Sequence, residues 1–157
     1  MTVEEMLARE AIRHTMASYN IAGDRLAVDE YIAVFTEDGI MEAQHERPEF
    51  CFRYEGRQAI GEWMSRWLAR ASSGERVHEA SFVRHHLSTS KIDLTSPITA
   101  RARTYWVAWT DIGPDHAGYY LDEFRKEGDD WLIAHRRVRE DWRSPNSLFA
   151  MAVSNSR

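Results

Sequence analysis

A chain of 157 residues, 43% hydrophobic and 29% charged, has the size and balance of one packed domain, which excludes a disordered or fibrous protein. Its 20 Lys and Arg against 25 Asp and Glu leave a net charge of −5, so there is no electrostatic footprint for nucleic acid or an anionic membrane surface. The single Cys51 excludes an internal disulfide and a cysteine-based zinc site. Apolar runs such as Ile32-Ala33-Val34-Phe35 are far too short to span a bilayer. The opening Met1-Thr2-Val3-Glu4-Glu5 places no basic region ahead of an apolar stretch, and the expected setting is cytoplasmic.

The spacing of Met6, Leu7, Ala11, Met16 and Tyr19 predicts a helix over 3–21, broken at Gly23-Asp24. A shorter helix is expected over 26–35, with Leu26, Ile32 and Phe35 in the core. Glu37-Asp38-Gly39 reads as a turn into a strand at 40–43, followed by a short strand at 49–54. Ile60, Met64, Trp67 and Leu68 form one stripe of a third helix over 57–71. Four long strands are then predicted at 80–94, 98–110, 116–126 and 130–142, separated by Thr95-Ser96-Pro97, Gly113-Pro114-Asp115 and Gly128-Asp129. Such short connections make successive strands antiparallel. With no repeat or linker, the chain reads as one α+β domain over 1–143 with a tail at 144–157 that is an irregular cover or partly mobile. A strongly bent sheet wrapped around three N-terminal helices leaves a cavity between them.

Two stretches carry residues suited to proton transfer. Tyr19 and Asp24 lie at the end of the first helix, and Arg84-His85-His86 lies inside a strand, where only one of the two histidines can face the cavity. A carboxylate that holds an imidazole in one tautomer and stabilises its charged form makes it a general base, and a phenol can assist a carbonyl or a leaving group. Taken singly, the same residues also read as a helix-ending Asp, a half-buried histidine pair and a core tyrosine. Asp122 and Glu123 read as a solvated pair on a strand.

The order of elements, Gly23-Asp24 after helix one, His85 on the first long strand, and the closing runs Ala117-Gly118-Tyr119-Tyr120-Leu121-Asp122-Glu123-Phe124 and Asp130-Trp131-Leu132-Ile133-Ala134-His135-Arg136 together resemble the SnoaL-like branch of the nuclear transport factor 2-like superfamily, over about residues 5–142. The resemblance implies a cone-shaped barrel of bent mixed or antiparallel sheet. Within that superfamily the functional pattern is most similar to the cofactor-independent lyases typified by scytalone dehydratase, bile-acid 7α-dehydratase and hexachlorocyclohexane dehydrochlorinase. Carried across, the resemblance makes Asp24 the orienting carboxylate, His85 the base, Tyr19 the catalytic tyrosine and Arg136 a pocket arginine. His86 departs from the aromatic or aliphatic residue usual there.

With six Trp and six Tyr, an aromatic pocket suited to a flat or polycyclic hydrophobic ligand is expected. Tyr54, Trp63, Trp67, Trp106 and Tyr120 are the substrate-binding candidates beside Arg136, with Phe52 and Trp109 as further candidate walls. Judged alone, each of these reads as core before it reads as a substrate contact. Adjacent histidines on a strand diverge, so no metal is expected, and no Gly-rich loop implies a nucleotide cofactor. The expected function is a dehydratase-type lyase, with an isomerase or cyclase, or a non-catalytic binding domain, as rivals. The resemblance and the two apolar faces around Trp106, Val107, Ala108 and Trp109 imply a homodimer or homotrimer.

Overall fold

The computed structural model describes residues 1–45, 48–74 and 78–149. Helix α1 spans Val3–Arg25 and is opened by a capping box: the Thr2 side chain accepts from the Glu5 N–H at 3.2 Å, and the Glu5 carboxylate accepts from the Thr2 N–H at 2.9 Å. It runs past Gly23, where a break was expected, and stops at Leu26, which adopts the left-handed conformation (φ 54°). Gly23 serves a close approach instead, since a Cβ there would lie 3.3 Å from the Tyr31 ring. Asp24 is therefore held in a formed last turn, not on a loose one.

Helix α2 (Val28–Ala33) and strand β1 (Phe35–Ala43) follow. The expected turn at Glu37-Asp38-Gly39 lies inside β1, where the register with its neighbour shifts between Phe35 and Ile40: turn-type residues here build a bulge. A short 3-10 turn at Pro48–Phe50 precedes strand β2 (Phe52–Glu55), and helix α3 covers Arg57–Ser72. The long strands are β3 (Arg84–Ser96), β4 (Thr99–Thr110), β5 (Gly113–Glu127) and β6 (Asp130–Arg143).

All six strands form one sheet in the order β2-β1-β6-β5-β4-β3, in which only β1 with β6 is parallel. The strands make an open, strongly curved α+β cone with β2 and β3 as its edges, not a closed barrel. Alternation along β4 puts Ala100, Ala102, Thr104, Trp106, Ala108 and Thr110 on the buried inner face and Tyr105 and Trp109 on the outer one. The core between sheet and helices gathers Ile12, Met16, Phe35, Met41, Ile60, Phe124 and Ile133.

One close approach holds the curvature. A Cβ added at Gly118, beside the bulge between β5 and β6, would lie 1.9 Å from the Arg139 carbonyl oxygen. Gly118→Ala must therefore push two paired strands apart, and we expect a loss of at least about 1–3 kcal/mol, read as a lower urea midpoint at unchanged slope. An unchanged midpoint would show that the bulge is slack.

Candidate active site

The curved sheet and the three helices enclose an open-mouthed cavity of about 590 Å³. Its walls are chiefly aromatic. Trp63 stacks on Phe52 (5.8 Å between ring centroids) and meets Trp67 edge-on (6.4 Å), while Trp106 stacks on Tyr120 (5.7 Å) at the deep end. Of the expected binding residues, Trp63, Trp67, Trp106 and Tyr120 line the cavity, as does Phe52. Tyr54 stands behind that wall, packed on Phe52 and Trp63 at 5.5 and 5.8 Å. Trp109 points to the outer face and is 41% exposed.

On one side of the cavity Asp24 and His85 meet. The His85 ring Nδ1 lies 2.6 Å from Asp24 Oδ1, and the His85 backbone N–H donates to Asp24 Oδ2 at 2.9 Å. One carboxylate thus grips both the strand and the ring. Because a carboxylate accepts, the neutral ring holds its hydrogen on Nδ1 and leaves Nε2 with a lone pair. His86, its neighbour on β3, is exposed on the outer face beside Trp109 (5.9 Å), so of the two histidines it is His85 that turns inward.

Tyr19 contributes its ring to the cavity wall, but its hydroxyl faces the Met41 sulfur at 3.7 Å, not the dyad. Burial pushes its pKa up, partly opposed by the nearby Arg136 guanidinium, so the phenol keeps its proton at neutral pH.

Arg136 corrects one expectation. It is fully buried behind the wall, with its guanidinium over the Tyr19 and Tyr120 rings at 4.0 and 4.1 Å, and does not line the cavity. It forks onto Asp122 at 2.8 and 2.7 Å, which corrects a second: Asp122 is 3% exposed, whereas Glu123 alternates to the outer face and reaches Arg137 at 3.5 Å.

A second buried Asp–His pair was not foreseen. His116 lines the cavity with its Nδ1 2.8 Å from Asp115 Oδ1, and its ring meets that of His85 edge-on with centroids 6.0 Å apart. Alternation could have found it, because His116 shares its parity with the inward Gly118, Tyr120, Asp122 and Phe124. Asp115 sits in what reads as a turn, yet β5 begins at Gly113 and the residue is fully buried.

Asp115 also fastens the segment after β6. It accepts from the Ser147 hydroxyl (2.5 Å), the Leu148 N–H (2.8 Å) and the Thr110 hydroxyl (3.1 Å). Phe149 then stacks on His116 (5.0 Å) and adds to the lining of the cavity. Residues 144–149 thus pack onto the domain, and the remainder of the expected tail, 150–157, lies outside the described residues. Burial pushes the Asp115 carboxyl up, but these hydrogen bonds outweigh it and bring it down from 3.8 to about 2. A depressed folded pKa stabilises above the unfolded value, so this contribution is complete above about pH 4 and is lost as pH falls through about 2. We expect the Leu148 amide resonance to shift over that interval, and a resonance indifferent to acid would mean the clamp does not depend on the carboxylate.

The fold and cavity define a class: a curved α+β cone with a carboxylate–imidazole pair opening into an apolar pocket. The SnoaL-like domain family matches residues 4–137, and the chain belongs to that family. Among solved structures it is similar to a putative scytalone dehydratase from Novosphingobium aromaticivorans (22% identity, 100% of this chain and 99% of that one, TM-score 0.72). It is also similar to LinA (13% identity, 94% and 97%, TM-score 0.72) and to a LinA-type3 hexachlorocyclohexane dehydrochlorinase from Novosphingobium barchaimii (11% identity, 90% and 92%, TM-score 0.70). No curated protein sequence matches the chain. No helix among the described residues is long and apolar enough to cross a membrane.

Proposed function

We propose that the protein is a cofactor-independent lyase that eliminates a small group from a hydrophobic, aromatic or alicyclic molecule. The observation that carries this reading is the Asp24–His85 bond of 2.6 Å at the wall of an aromatic cavity. Asp24 holds the imidazole so that Nε2 receives a proton from an activated carbon. The electron pair left on carbon forms the new double bond as the leaving group departs with its own bonding pair. The imidazolium then returns its proton to the leaving group or to water. The Tyr19 hydroxyl, which shares the Met41 sulfur with Tyr31, turns from it to donate to a substrate oxygen that carries developing charge. The likeness to a putative dehydratase and to dehydrochlorinases agrees with this chemistry at the level of fold.

An isomerase using the same dyad would return the proton to another carbon and lose nothing. Product mass therefore decides: in deuterated water, elimination lowers the substrate mass by that of the leaving molecule, and isomerisation leaves it unchanged apart from at most one hydrogen replaced by deuterium. Either reaction should vanish in His85→Ala. Turnover surviving in that variant would remove the proposal. The reading also carries a dimer or trimer packed through the outer sheet face, where Tyr105 and Trp109 are 43% and 41% exposed, and a monomer in sedimentation would refute it.

A further inference from the structure

We propose that His116 is a second substrate-binding group, a hydrogen-bond acceptor that selects molecules presenting an O–H or N–H donor beside the carbon that His85 deprotonates. This rests on the reading of the cavity as a substrate site.

The placement comes from the sheet register. His85 on β3 and His116 on β5 are both paired with Ala108 on the strand between them. Ala108 is fully buried and offers only a methyl group, so the two imidazoles lean together over it until their centroids are 6.0 Å apart. A larger residue at 108 would stand between them.

The chemistry comes from the carboxylates. Each ring gives its Nδ1 to an aspartate, Asp24 for His85 and Asp115 for His116, and each keeps an Nε2 lone pair without a partner among the described residues. His116 is 4% exposed, and burial lowers its pKa more strongly than the Asp115 bond raises it, with Arg143 and His85 adding to the depression. It is therefore neutral at neutral pH and accepts. His116 Nε2 is not among the buried atoms that lack a partner, so its lone pair opens to the cavity, where a ligand donor can reach it. A hydroxyl meets the need. A halide or an ether oxygen offers only lone pairs and is disfavoured, so the substrate class narrows to hydroxylated or amino-bearing carbon acids.

Asp115→Asn tests the assignment sharply. In the site as built, its amide nitrogen can take the position of Oδ1 beside His116 Nδ1 and Ser147, while its oxygen keeps the Thr110 and Leu148 donors. The amide then donates to Nδ1, the ring hydrogen moves to Nε2, and the acceptor becomes a donor. The experiment uses the full chain labelled with nitrogen-15 in histidine, with 2-naphthol and 2-methoxynaphthalene as probes that differ in the hydroxyl hydrogen. The native protein should show His116 with its hydrogen on Nδ1 and bind the naphthol roughly threefold to tenfold more tightly. Asp115→Asn should move the hydrogen to Nε2 and abolish or reverse that preference, and His116→Phe should abolish it while thermal melts confirm folding. A native Nε2–H tautomer, equal binding of the two probes, binding of neither, or a preference that survives both variants overturns the proposal. If the preference is lost in His85→Phe and kept in His116→Phe, this proposal fails and proton abstraction by His85 stands. If it is lost in His116→Phe while Asp24→Asn turns over normally, the lyase reading fails and His116 remains a binding group.

Discussion

Asp24→Asn is expected to lower turnover about 10²- to 10⁴-fold, the usual contribution of a positioned general base, and to leave the fold intact. The asparagine oxygen can still accept from the His85 backbone N–H, now bonded to Asp24 Oδ2 at 2.9 Å, so the strand stays attached to the helix. What changes is the ring. An amide facing Nδ1 donates where the carboxylate accepted, the hydrogen passes to Nε2, and the cavity loses its base. Product formation followed by mass, alongside a melting curve, separates the two effects. Near-normal turnover in a folded variant would leave a binding domain as the better account, because a binder needs the shape of this wall and not its tautomer.

The largest effect on stability is expected at the Arg136–Asp122 pair. Burial opposes the charge on Arg136, but the Asp122 carboxylate more than offsets it and holds the guanidinium pKa above its ordinary value. Arg136→Met leaves Asp122, 3% exposed, with no cation opposite, and should cost about 3–5 kcal/mol. Replacing both, Arg136→Met with Asp122→Leu, removes two desolvated charges together and should recover most of the loss. Urea unfolding of the two single variants and the double variant reads this as a cycle. A single variant within about 1 kcal/mol of the native protein would mean that water reaches the pair. One guanidinium nitrogen, Nη1, is buried without a partner, so the site carries a standing cost even in the native protein.

The parts of this molecule legible in the sequence are those set by local periodicity. The three helices and the four long strands follow from spacing and turn residues, and alternation in β3 separates His85 from His86. Asp24 and His85 stand out as residues suited to proton transfer, but their pairing rests on family resemblance, since nothing in their separation of 61 positions says that they touch. Asp122 reads as solvated because its partner Arg136 lies on the next strand, and only the register of β5 on β6 brings them face to face. His116 stays hidden in the linear pattern for the same reason: its meaning depends on Ala108 and His85 on two neighbouring strands. Cross-strand register is a property of the assembled sheet, and residues whose role is defined by it are the ones the linear pattern hides.

The parallel pairing of β1 with β6 also has a kinetic side. Met41 lies opposite Arg136, so the contact joins positions 95 apart (136 − 41), and strands β2 to β5 all lie within the intervening loop. Closing so large a loop is rewarded only when β6 docks, which places the chain among slow folders, on the order of milliseconds to seconds. Until then the β1–β2 hairpin and the β3–β5 meander have no shared edge, and the wall made by Val138, Glu140 and Arg143 is missing. The ability to hold a ligand should therefore emerge in the final cooperative step of folding, so that a hydrophobic molecule offered during refolding would speed no early stage and would slow only the reopening of the finished cone.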